Sequence, residues 1–367
     1  MSAAVTTDLT RFPLVPRPRP PGLPLQARVA ELSALAASMR TTTLRDRETR
    51  AAEVLNKAAL ITSDCGIPGL AHNLCRRQYE LFAQRAPLPA WAAKLALQPV
   101  LNVSRQLIRD GDSEQALAML QALHQAALRR TAVTIAAIPV NFNVLTSTAD
   151  GHKETCTLTW TALLADGTRA LALAGRWTQA AEHAAIYRGT GTRLLDGRQA
   201  AILALLTSGQ PDEAAQMVAR TTAAEPWEYA VQAVFRVLCQ HGAATDLRSA
   251  IATMTATTRE LVQVQDPATA VTRTRIGLTA LDLAAGTEVI QTRALTAALF
   301  TTASADAYAA RDLLASSQTA HSLTSARRSG LYALVRASGL GAGMIPSNLH
   351  DQLTSAVIQA EAALADP

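Results

Sequence analysis

Gly175-Arg176-Trp177-Thr178-Gln179-Ala180 recurs, 34 residues on, as Gly209-Gln210-Pro211-Asp212-Glu213-Ala214. Ala- and Leu-rich runs of helical period flank both hexamers. Gly turns the chain after one helix, and Ala in the first turn of the next lets the two backbones approach. A larger side chain at the Ala position would push the pair apart. Recurrence at this interval predicts helix–turn–helix units stacked as an array. The same spacing appears at Gly111/Ala116 and at Gly66/Ala71. It weakens around Gly242, where Leu247 takes the Ala position.

Composition agrees with a helical chain. At 367 residues the sequence exceeds the usual size of one compact core, so two domains or one elongated array are expected. Hydrophobic residues make up 49 % but aromatics only 4 %, which favours closely packed helices over a β sandwich. The net charge of +5 is spread thinly over short Arg clusters such as Arg45/Arg47/Arg50 and Arg129/Arg130. None is a long basic run interleaved with aromatics, which argues against a nucleic-acid groove. The four cysteines form no C-x-x-C pair and have no His at ligand spacing, so they read as small buried hydrophobes in a reducing cytoplasm. No apolar run approaches bilayer length, and residues 1–25 lack the apolar core of a secretory signal.

Helical spacing predicts helices over 26–39, 48–63, 68–85, 91–109 and 113–130, the last opened by a capping box of Asp112 with Gln115. Further helices are expected over 156–174, 178–187, 195–208, 211–222, 227–241 and 245–264. Five more follow, over 268–285, 289–302, 305–316, 324–337 and 347–364. Between 131 and 153 the period switches to alternation (Val133, Ile135, Ile138, Val140, Phe142, Val144), so a small exposed hairpin or extended flap is expected, closed by a turn at Ala149-Asp150-Gly151. The expected organisation is a mobile Pro/Arg-rich tail (1–25), N-terminal helical repeats (26–130), the insertion (131–153), central repeats (154–265), and C-terminal repeats with a cap (266–367).

The hexamers at Gly111, Gly175 and Gly209 resemble the second-helix start of the tetratricopeptide repeat (TPR), with Trp177 at its aromatic position and Pro226 at its closing proline. The resemblance covers roughly residues 90–223 and is looser over 48–265. It implies an all-α, TPR-like, right-handed α-solenoid of about seven helix pairs that binds a protein or peptide in its concave groove, without catalysis. Longer segments, including Leu55-Asn56-Lys57-Ala58-Ala59-Leu60-Ile61 and Val335-Arg336-Ala337-Ser338-Gly339-Leu340-Gly341, resemble an actinobacterial family of no settled activity. Some of its members are encoded near natural-product genes. The alternative expectation is therefore an enzyme or enzyme subunit in maturation of a ribosomally made peptide; a regulatory repeat protein is a third.

Polar residues set in apolar helical faces are the binding candidates: Asn56, Lys57, Asn102, Arg105, Arg198 and Arg236, with Asn141, Phe142 and Asn143 on the insertion. First helices line a solenoid's concave face, where Asn holds peptide backbone and Arg or Lys holds carboxylates. Asn56 serves equally well as an inter-helix hydrogen-bonding group. His152-Lys153-Glu154 is the one cluster of titratable types beside the irregular segment, and reads as a solvated turn before it reads as acid–base chemistry. Gly189-Thr190-Gly191-Thr192-Arg193 follows a helix rather than a strand, so it reads as a cap and linker, not a phosphate loop. Trp160, Trp227 and Tyr229 are expected in the core. No motif for a metal or cofactor is present.

Overall fold

The computed structural model describes residues 9, 12–41, 43–240, 247–286, 289–320 and 322–365. The expected turn at Gly242, its histidine His241 and the isolated His321 lie outside the described residues. The chain is all-α: among the described residues 73 % are helical, with one two-stranded sheet. In chain order, α1 (Leu25–Ala37), α2 (Leu44–Asp64), α3 (Pro68–Ala83), α4 (Ala90–Arg109) and α5 (Ser113–Arg129) precede β1 (Ala132–Ile135) and β2 (Ile138–Asn141). Then come α6 (Ala149–Leu173), α7 (Trp177–Ile186), α8 (Asp196–Thr207), α9 (Pro211–Ala219), α10 (Pro226–Cys239) and α11 (Leu247–Val262). The series ends with α12 (Ala270–Leu283), α13 (Val289–Ala303), α14 (Ala307–Ala315), the short α15 (Ser317–Ala320), α16 (Ser325–Ala337) and α17 (Ser347–Ala365).

Four turns share one construction. At Gly66, Gly111, Gly175 and Gly209 the φ angle lies between +71° and +88°. The residue after each glycine returns a hydrogen bond to the carbonyl five positions earlier: Ile67 to Thr62, Asp112 to Leu107, Arg176 to Leu171 and Gln210 to Leu205. This is the Schellman stop, and its left-handed residue is cheap only for glycine. The alanines that follow, Ala71, Ala116, Ala180 and Ala214, are all 0 % exposed, as a close helix approach requires. Pro68, Pro211 and Pro226 open helices where the missing N–H costs nothing. Of the predicted capping box, the Asp112 half is present, its carboxylate accepting from Gln115 N at 3.2 Å.

Contacts divide the chain into two compact units, each made of separated segments. Unit I is Pro24–Ala170 with the described residues from Gly339 onward; unit II is the described residues up to Leu23 with Leu171–Ser338. The contiguous blocks expected from the repeat spacing do not coincide with these units. In unit I, α2 packs on α3, α3 on α4 and α4 on α5, while α17 packs on α1, α2 and α3. A strictly nearest-neighbour array would not bring the last helix onto the first three. Buried Arg28 and Asp64 tie α1 to the end of α2 at 2.7 Å. The glycines before α17 dock there too, Gly341 N and Gly343 N donating to Asp64 O and Cys65 O at 2.8 and 2.7 Å.

The insertion departs from expectation in two ways. Its hairpin exists, with Ile135 opposite Ile138 and a two-residue turn at Ala136-Ala137. It is not an exposed flap, however: Ile138, Val140 and Phe142 are buried along one face, and β1 packs on α5. The return segment is held by Leu88 N donating to Leu145 O at 2.8 Å. Both turn alanines have positive φ (45° and 64°), a conformation that two-residue hairpins ordinarily give to Asn or Gly and that costs about 1 kcal/mol or more per residue. Packing of the apolar face outweighs that strain. Second, Ala149-Asp150-Gly151 is not a closing turn but the first turn of α6, capped by Thr148, whose hydroxyl accepts from Gly151 N at 3.0 Å.

Unit II has its own core, drawn from α8 to α14 with α16. The described part of the supposed mobile tail belongs to it. Phe12 stacks on Phe235 with centroids 4.9 Å apart, Leu14 is buried, and the Arg19 guanidinium lies 3.5 Å from the Tyr308 ring centroid. This segment is non-helical, bends at Leu14 (φ +49°), and is packed rather than free.

Helix approach is testable at glycine. A Cβ on Gly197 in α8 would lie 2.6 Å from Gly189 O and 2.8 Å from Ala184 Cβ, whereas one on Gly330 in α16 meets nothing within 4 Å. Gly197→Ala is expected to destabilise the protein by about 2 kcal/mol. Gly330→Ala is expected to stabilise by up to about 1 kcal/mol in the same urea titration.

Candidate functional site

Three of the expected binding residues meet in unit I. Asn56 sits on α2, four residues after Ala52, and donates to the Ala52 carbonyl at 2.8 Å, which orients its amide. Its Oδ1 accepts from Asn102 Nδ2 on α4 at 2.7 Å. Asn102 Oδ1 accepts in turn from Arg105 Nη1 at 3.1 Å, and Arg105 Nε donates to Asp166 Oδ2 on α6 at 3.2 Å. The result is a hydrogen-bonded row crossing α2, α4 and α6. Asn102 and Arg105 share one face of α4 because residues three apart lie on the same side of a helix.

Charge is unbalanced along this row. Asp166 is 1 % exposed while the Arg105 side chain is 38 % exposed, so the pair has one buried end and one open end. Burial, then the positive charges of Arg109 and Arg169, pull the Arg105 guanidinium below its ordinary range. Arg109 also donates to Ser63 Oγ at 2.9 Å. Arg105 thus feels two neighbouring guanidinia while it pairs with the buried carboxylate of Asp166.

The other expected residues are placed elsewhere. Lys57 turns from the row to Glu31 and Glu53; burial pulls its pKa down, but the hydrogen bonds and charges of those glutamates outweigh it and raise it. Asn141 and Asn143 are exposed, with Asn141 Oδ1 accepting from Asn143 N at 3.0 Å. Phe142 corrects the expectation that it touches a ligand: at 1 % exposure it is core. Arg198, in unit II, is buried and uses its guanidinium on Thr221 Oγ1, Gly191 O and Met217 O at 2.7–2.8 Å. It braces the loop that resembled a phosphate cradle, whose Arg193 pairs with buried Glu228. Arg236 is exposed on α10. Of the aromatics expected inside, Trp160 and Tyr229 are instead 37 % and 51 % exposed.

His152-Lys153-Glu154 lies on α6 rather than in a turn. Lys153 and Glu154 face solvent, with Glu154 paired to Lys94 at 2.6 Å. His152 instead meets Cys156 one helical turn on, Nε2 to Sγ 3.4 Å. With turns expected at 149–151 and 152–154 and a helix only from 156, this i, i+4 pair was not legible in the sequence. Burial lowers the imidazole, helped by Arg130, and burial raises the thiol against the pull of the same arginine. Both shifts favour the neutral pair over a thiolate–imidazolium nucleophile.

The opposite side of α4 lines a groove of about 390 Å³ with α3, α5 and the hairpin tip. Val103, Leu107, Met119 and Ile135 form its apolar wall, and His72, Gln106 and Gln115 supply polar groups. Among the described residues no three His, Cys, Asp or Glu side chains converge as a metal site, and no helix is long and apolar enough to cross a membrane. Compared with known proteins, the chain matches no family model, no curated protein and no solved structure.

Two outcomes follow from this placement. Phe142→Ala is expected to cost about 3–5 kcal/mol in chemical denaturation, as a core truncation does. Burial pushes the Cys75 thiol from 9.0 up to about 12. A thiol kept protonated by the fold stabilises it below pH 9, and that contribution is lost as pH rises toward 12. The urea midpoint should therefore drop as pH rises from about 9 toward about 12, and Cys75→Ala should flatten the drop.

Proposed function

We propose that this protein is a non-catalytic binding scaffold built from TPR-like helix pairs, with the row Asn56–Asn102–Arg105 as its contact strip for a protein or peptide segment. The observation that carries this reading is the continuity of the row across α2, α4 and α6. Amides on such a strip can exchange hydrogen bonds with an extended backbone, and Arg105, beside Arg109 and Arg169, favours a segment carrying carboxylates. The four Schellman turns with buried alanines support the TPR-like pairing, and the right-handed solenoid remains part of this proposal. A half-buried strip open at Arg105, and so salt-sensitive, suits reversible recognition better than a dry pocket does.

The test is capture of partners from the native source by wild type and by the Asn102→Ala/Arg105→Ala variant. At least a tenfold loss of specific partners is expected, with far-ultraviolet circular dichroism unchanged. Equal recovery by both proteins would sink the assignment. The alternative, a subunit that modifies peptides, would rest on His152 and Cys156. It predicts that Cys156 alkylates faster than free cysteine near neutral pH; the shifts above lead us to expect slower reaction.

A further inference from the structure

Residues 12–22 make contacts in the manner of a bound peptide rather than a folded element. Prolines at 13, 16, 18, 20 and 21 keep the segment non-helical, with one bend at Leu14–Val15 where Leu14 takes φ +49°, and its polar groups turn to remote parts of unit II. Val15 N donates to Asp196 Oδ1 at 2.8 Å, and Arg19 N to Ala268 O at 3.0 Å. At the far end Gly22 N donates to Asp306 Oδ2 at 2.7 Å, while Gly22 O accepts from Ala307 N at 2.9 Å. Side chains supply anchors between these points: Phe12 on Phe235, Leu14 into the core, Arg17 toward Asp196 at 3.8 Å, and Arg19 over Tyr308.

The receiving surface is built for such an occupant. Asp306 is 3 % exposed and caps α14 with one oxygen, accepting from Tyr308 N and Ala309 N at 2.9 Å. Its other oxygen takes Gly22 N. A Cβ on Gly22 would lie 2.8 Å from Ala307 N and 2.9 Å from the Tyr308 ring, so this subsite admits glycine alone. Hydrogen bonds along the backbone, pockets for alternate anchors and one steric filter are the elements of extended-peptide recognition.

We infer that this face of unit II is a peptide-recognition groove, that residues 12–22 are its resident occupant, and that its partner is an extended, Pro- and Arg-bearing segment with glycine at the position of Gly22. Tethering gives the resident segment a high effective concentration, so an outside peptide engages only when the segment is weakened or outcompeted. The groove is separate from the Asn56–Arg105 strip and does not depend on that assignment.

The full chain tests this directly. A fluorescent synthetic peptide spanning residues 9–24 is titrated by anisotropy into wild type, into Phe12→Ala/Arg19→Ala, and into Gly22→Ala, each checked by circular dichroism. Both variants are expected to bind the peptide at least tenfold more tightly than wild type, and a peptide carrying Gly22→Ala is expected to lose at least tenfold on either. If a folded variant fails to bind, or binds both peptides alike, the inference is overturned. If neither variant folds cooperatively, residues 12–22 are structural core and the inference is equally overturned.

Discussion

How closely two helices can approach sets almost everything else in this protein. A Schellman stop at glycine aims the second helix back along the first, and an alanine without exposed surface lets the backbones close. Small side chains at the contact leave little lever by which a pair can be held apart. Only at that separation can an Asn on α2 reach an Asn on α4 at 2.7 Å. The polar row is thus a product of spacing set by residues that carry no polarity of their own.

Arginine serves two purposes here that look alike in a linear reading. Buried Arg198 and Arg273 send their donors to main-chain carbonyls, among them Met217 O and Val262 O near the ends of α9 and α11. Those carbonyls have no partner within their own helix, and a guanidinium with several donors satisfies more than one of them. Burial lowers both guanidinia. Arg105 differs because its carboxylate partner is buried while it is itself partly open, with two further arginines beside it. What sets the two kinds of arginine apart is what lies at the far end of the side chain.

Helix positions were legible because period, proline and glycine act within a few residues, and the starts at Pro68, Pro211 and Pro226 follow from that local chemistry. Asn56, Asn102 and Arg105 were legible as polar residues in apolar stripes, but Asp166 was not singled out. It stands in Leu163-Leu164-Ala165-Asp166-Gly167, where a carboxylate amid apolar neighbours was the available signal. Phe142 was misread because alternation in 131–144 shows that one face is apolar, not what covers it. The start of α6 was misread because Asp-Gly favours a turn until a Thr cap outweighs it. Packing of α17 on α1–α3 lay beyond any local pattern, since it joins residues about three hundred positions apart.

The interleaving of segments has a consequence for how the chain is made. Unit II needs nothing beyond Ser338, so on a ribosome it has all its parts while α17 is still being added. Most of unit I, Pro24–Ala170, is made before the bulk of unit II, yet it waits for Gly341 and Gly343 to reach Asp64 and Cys65 and for α17 to cover α1 and α2. During that interval the apolar faces of α1 and α2 have no lid. The unit whose bulk is made first is finished last, and it carries the longer exposure to aggregation and to chaperones.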